Sequence, residues 1–135
     1  MMQAACYDIY SRNPAALAAC FAYLCEVEEV DLGLATVHGL NLQPLVRIYP
    51  QTPTNTMAPR GGPILEVDAL IWELESPAAL EQLGQRAAFY QYRQQQEGTA
   101  AVILQSHAIQ YHGQTAWQIL DLDGRCWIFL VRNNS

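Results

Sequence analysis

The side chains able to do chemistry are few and unevenly chosen. There are three histidines, four cysteines, thirteen carboxylates and seven basic residues in a chain of 135. Every basic residue is an arginine, which excludes a Schiff-base lysine, a lysine general base and the lysine-bearing phosphate loop. No Ser–His–Asp order, G-x-S-x-G or G-x-G-x-x-G occurs, so nucleophilic hydrolysis and dinucleotide binding have no support. Cys6, Cys20, Cys25 and Cys126 form no CxxC and lie in apolar segments. They read as buried thiols in a reducing cytoplasm. His107 and His112 are five apart, on opposite faces of one strand unless a hairpin turn separates them. His38 stands beside Gly39, where a turn is expected.

The elements that position these groups follow from pattern. Ala4 to Tyr10 is a Tyr- and Ile-containing strand. Asn13-Pro14 then starts a helix: asparagine caps, and the missing N–H of proline costs nothing at the first position. Leu17, Phe21 and Leu24 recur at helical spacing up to Glu26. Strands are expected over Val30–Val37 and Leu42–Tyr49, with Gly39 as a turn. The Pro-, Gly- and Thr-rich run 51–63 is a linker. The pattern then restarts, with a strand over Ile64–Leu74 and a helix opened by Ser76-Pro77 and ended by Gly98. Within that helix Gln94-Gln95-Gln96 reads as a solvated last turn. Strands over Ala101–Gln110, Thr115–Leu120 and Cys126–Arg132 follow, the last two joined by the turn Asp123-Gly124.

Asn13-Pro14-Ala15-Ala16-Leu17 and Ser76-Pro77-Ala78-Ala79-Leu80 share a cap, a proline and an Ala-Ala-Leu run. The matching element order on both sides makes this an internal duplication. The expected architecture is α+β: two tandem βαβββ modules, 4–50 and 64–132, in a single domain spanning 1–135. A hydrophobic fraction of 51% supplies its core. Net charge is −6 and the arginines are scattered, so nucleic acid is not an expected partner. No secretory signal or membrane span is expected, because the start has no basic cluster leading a long apolar run and no apolar stretch nears the ~18 residues of a span. A cytoplasmic protein is the expectation.

Two residue groups link the duplication to a known family. They are the helix start Arg12-Asn13-Pro14 with Leu17 and Phe21, and the terminal Leu120-Asp121-Leu122-Asp123-Gly124-Arg125-Cys126-Trp127-Ile128-Phe129. The second is similar to an Asp-Pro-Asp-Gly turn entering a last strand, with Leu122 in place of proline. Over residues 4 to 132 the chain resembles the vicinal oxygen chelate superfamily, which includes glyoxalase I, extradiol dioxygenases and fosfomycin- and bleomycin-resistance proteins. The resemblance implies a cupped mixed sheet with helices outside, a ligand cavity inside and a homodimer. It also implies metal ligands, most often His and Glu, on the first and last strands of each module. Counting from the helix caps and the terminal turn, the corresponding positions hold Cys6, Ala69, Ile128 and Arg47 or Tyr49, with Asp68 one residue away. Alanine and isoleucine bind no metal and arginine stays protonated. The expectation is therefore a protein with no metal and no cofactor. An atypical site drawing on Cys6, Glu66, Asp68 or the histidines is the alternative.

Strand alternation puts Cys6, Asp8 and Tyr10 on one face and Tyr7 and Ile9 on the other. In the second module Ala69, Ile71 and Glu73 share the face equivalent to that of Asp8. Asp8, Tyr10 and Glu73 are the expected cavity lining, with Arg47 as a fork for a carboxylate. Trp117 and Trp127 flank the Asp-Gly turn on neighbouring strands, where they can pair across it; structural packing is the default for each, a stacking wall for a flat or cationic ligand the alternative, and both are candidate ligand-binding residues. An acidic, aromatic cavity favours a cationic aromatic ligand. The function expected is metal-free small-molecule binding, similar to bleomycin-resistance proteins that sequester an antibiotic. The alternative is a lyase or isomerase using Asp8 or Glu73 as base, or an atypical metal.

Overall fold

The computed structural model describes residues 6–34, 36–42, 45–51 and 69–132, with Cys6 placed by its backbone. The chain divides into two compact units, Met1–Leu65 and Glu66–Ser135. Each contains one helix and one four-stranded mixed sheet, so the α+β expectation of two βαβββ modules holds.

In the first unit, strand β1 (Cys6–Ser11) leads into helix α1 (Pro14–Cys25). Asn13 caps α1 as expected, its Oδ1 accepting from the Ala16 N–H at 3.2 Å. Ser11 Oγ accepts from the Asn13 N–H at 3.0 Å, so strand end and cap are tied together. The helix buries Leu17, Ala18, Cys20, Phe21 and Leu24, and ends at Glu26 in the left-handed region (φ 56°). Strands β2 (Glu29–Val30), β3 (His38–Leu40) and β4 (Leu45–Pro50) complete the sheet in the order β1-β4-β3-β2, with β1 and β4 parallel. Helix α1 packs on β1, β2, β3 and β4, and Ile9, Leu40, Val46 and Ile48 are buried.

The expected strand over Val30–Val37 is corrected. Asp31 Oδ1 accepts from the Gly33 N–H at 2.8 Å, and Gly33 takes φ 78°. This aspartate-to-backbone turn interrupts an alternation that reads as a strand. Gly39 is likewise no turn. It lies inside β3 opposite Arg47, and a Cβ there would stand 3.1 Å from the Val30 carbonyl oxygen and 3.2 Å from Leu32. The glycine permits close approach of the neighbouring chain.

The second unit repeats the plan. Strand β5 (Ala69–Leu74) is followed by helix α2 (Pro77–Glu97), capped by Ser76, whose Oγ accepts from the Ala79 N–H at 3.1 Å. Gly98 closes α2 at φ 69°, a conformation that favours glycine. Strands β6 (Ile103–Tyr111), β7 (Gln114–Asp121) and β8 (Cys126–Val131) order as β5-β8-β7-β6, with β5 and β8 parallel. Both strand starts and both caps, Cys6 to Ala69 and Asn13 to Ser76, are the same 63 residues apart. The backbone bonds repeat as well: the Gln51 N–H donates to Ser11 O at 2.9 Å, and the Arg132 N–H to Leu74 O at 2.7 Å. The expected start at Ile64, the residues before Cys6 and most of the 51–63 linker lie outside the described residues.

Gln94 is not a solvated residue of the last turn. It is buried, its Nε2 donating to Ile103 O at 2.8 Å and its Oε1 accepting from the Val102 N–H at 3.0 Å. One amide side chain thus satisfies the backbone where β6 begins. Asp121 plays a similar part at the β7–β8 turn. Fully buried, it accepts from the N–H groups of Asp123 and Arg125, from Arg125 Nη1 at 2.9 Å and from Trp127 Nε1 at 2.9 Å.

Candidate ligand-binding face

The parallel register of β1 and β4 sets Asp8 opposite Arg47 and Tyr10 opposite Tyr49. Alternation sends their neighbours Ile9, Val46 and Ile48 toward α1, so these four residues share the face turned away from the helix. Arg47 grips Asp8 as a fork, with Nε donating to Oδ1 at 2.6 Å and Nη2 to Oδ2 at 3.0 Å. Such two-pronged, charge-assisted pairing fixes orientation as well as distance. The Tyr10 and Tyr49 rings stand 5.7 Å apart, tilted by 45°. Three of the six residues expected to bind ligand, Asp8, Tyr10 and Arg47, are therefore brought together. Tyr49, which the sequence reading weighed only as a possible metal position, joins them because β4 runs in register with β1.

Glu73, on the equivalent strand of the second unit, faces away from α2. Its side chain is 55% exposed and lies 3.8 Å from Arg132 Nε. Its neighbours on that face are apolar: Ala116, Ile128 and Leu130 form a buried cluster with Ala69, Ile109, Tyr111 and Cys126 against it. At the register position equivalent to Asp8 and Arg47, this unit pairs Ile71 with Ile128.

The tryptophans do not pair with one another across the Asp-Gly turn. Trp117 registers with Phe129 and Trp127 with Ile119, so the two indoles do not pair across the turn. Trp127 instead stacks on Trp72, with centroids 6.3 Å apart. Trp127 is fully buried and bonded to Asp121, which makes it a core residue rather than a stacking wall. Trp117 lies against α2, where a Cβ on Gly84 would stand 3.2 Å from its ring. The register puts Trp72, Trp117 and Trp127 on the helix side of their sheet, opposite to Glu73.

The histidines stand apart from one another along the chain. His38 Nδ1 sits 3.5 Å from Glu29 Oε1 within β2–β3, and is not in a turn. His107 is exposed on β6, and His112 occupies the β6–β7 turn with φ 48° beside Gly113 at φ 83°. That pair of positive φ values makes a two-residue hairpin of the type matching strand twist. The turn falls at His112 itself. Among the described residues no three His, Cys, Asp or Glu side chains gather to hold a metal ion. The Cys6 side chain, Glu66 and Asp68 lie outside the described residues.

No protein-family model matches the sequence, and no curated protein does. Solved structures do match, over nearly the whole chain. A glyoxalase/bleomycin resistance protein/dioxygenase family enzyme from Burkholderia phytofirmans is similar with TM-score 0.62 and 13% identity, covering 95% of this chain and 98% of that one. The fosfomycin resistance protein FosX from Mesorhizobium loti follows with TM-score 0.61 and 9% identity, covering 99% and 95%. The fold is that of the vicinal oxygen chelate superfamily. A lactoylglutathione lyase from Agrobacterium tumefaciens shares it, with TM-score 0.57 and 12% identity over 96% of this chain and 92% of that chain. Of the positions at which the resemblance implies metal ligands, Arg47 is engaged with Asp8, Ile128 pairs with Ile71, and the Cys6 side chain lies outside the described residues. A guanidinium beside the carboxylate and two isoleucines are a poor donor set for a cation.

Proposed function

We propose that the chain is a small-molecule-binding protein on the vicinal oxygen chelate fold that binds its ligand without a metal ion. The observation supporting this reading is the Asp8–Arg47 fork on β1 and β4, which holds a guanidinium at a position where the resemblance implies a metal ligand. The fork, with the Tyr10 and Tyr49 rings beside it, offers hydrogen-bonding groups of both signs next to aromatic surface. A flat aromatic ligand fits that chemistry, and the acidic chain favours a cationic one. Sequestration of such a compound, as in bleomycin-resistance proteins, is the role this implies, with a homodimer as the working form. A lyase or isomerase with Asp8 as base is less well supported, because both Asp8 oxygens already accept from Arg47.

A thermal-shift panel of planar aromatic cations and planar aromatic carboxylates tests the reading. Stabilisation by cations that is lost in Asp8→Asn and Tyr10→Ala is the expected result. Stabilisation by carboxylates alone would assign the receptor role to Arg47 and overturn the cationic ligand; no stabilisation by either class would overturn binding on this face. Sedimentation should show a dimer, and a clean monomer at high micromolar concentration would contradict that part.

A further inference from the structure

We propose a second binding site, for small organic cations with an apolar or aromatic body, in the cleft between the first half of α2 and the β6–β7 hairpin. The cleft measures about 470 Å³, within the roughly 300–1,000 Å³ of small-molecule sites. It lies on the helix side of its sheet, opposite to the face that carries Glu73, and is independent of the reading proposed for Asp8 and Arg47. Leu80, Trp117 and Val131 make its wall largely apolar, and Glu81 is the one charged side chain among its described lining residues. No described residue forms an ion pair or hydrogen bond with Glu81.

The indole of Trp117 is held from two sides. Its Nε1 donates to Ser106 Oγ at 2.7 Å. Gly84 leaves space for the ring where a Cβ would stand 3.2 Å from it. Its register partner on β6 is the small residue Ala108, which leaves the ring as a wall of the cleft on that side. An aromatic face attracts a cation within about 6 Å, and a carboxylate with no partner among the described residues at the same cleft selects the same sign. Pro77, at the first helical position, contributes apolar surface and no N–H. An ammonium or guanidinium group placed against Glu81, with its apolar body along Trp117, Leu80 and Val131, satisfies both features.

Titration calorimetry with phenethylammonium, phenethyl alcohol and phenylacetate tests this directly. The ammonium compound should bind the wild-type chain more tightly than its neutral and anionic counterparts. Glu81→Gln should weaken it about threefold to fivefold, as expected for a solvent-accessible ion pair. Glu81→Arg, an exposed change that leaves the core intact, should turn the preference toward phenylacetate. Equal affinity for the three probes, no binding of the ammonium probe at millimolar concentration, or an unaffected Glu81→Gln would each overturn the proposal.

Discussion

Asp121 and Asp8 are both clasped by arginine, yet burial gives them opposite consequences. Asp121 is fully buried and Arg125 only 14% exposed, so truncation strands a guanidinium, an indole N–H and two backbone N–H groups. Breaking a buried pair from one side costs several kcal/mol. Asp121→Ala should lower unfolding free energy in urea by about 3 kcal/mol, and Asp121→Asn by less, since the amide keeps an acceptor. Asp8 is 40% exposed and Arg47 37%, where water replaces lost contacts. Asp8→Asn should change stability by under about 1 kcal/mol, so any larger effect on ligand binding reports recognition rather than folding. Gln94 belongs with Asp121. Gln94→Ala leaves the Ile103 carbonyl and the Val102 N–H unsatisfied and should cost about 2 kcal/mol in the same assay.

Among the elements, those governed by local chemistry were legible in the sequence. Asn13 and Ser76 cap their helices where the residues before the prolines indicate, because capping needs only a side-chain oxygen and the next turn. Ser76→Ala should destabilise by about 1 kcal/mol in thermal or urea unfolding. No measurable loss would mean that packing alone holds the start of α2. What depends on distant chain was not legible. The Asp31–Gly33 turn hides inside a strand-like alternation, and the role of Gly39 appears only with Val30 and Leu32 beside it. Gln94 looks solvated until β6 returns beneath it. The faces of Trp117 and Trp127 depended on the registers of β7 and β8, which residue types flanking a turn do not specify. For the candidate site, alternation in β1 correctly grouped Asp8 with Tyr10. The addition of Tyr49 and the fork geometry required the parallel pairing with β4.

Over the whole molecule, the two copies of one module carry sheets that differ on the face turned away from the helix. The first unit carries a charged fork and two tyrosines, and the second an apolar cluster around Ile128 and Leu130. Caps and strand registers, on which folding depends, stay in step 63 residues apart. No described helix is long and apolar enough to cross a membrane. The central claim is that ligand binding here needs no metal ion, and elemental analysis tests it most directly. The chain should be produced in medium supplemented with zinc, nickel, manganese and iron, purified without chelators and dialysed before its metal content is measured. Far less than one metal ion per chain is predicted; one tightly held divalent ion per chain would contradict the account.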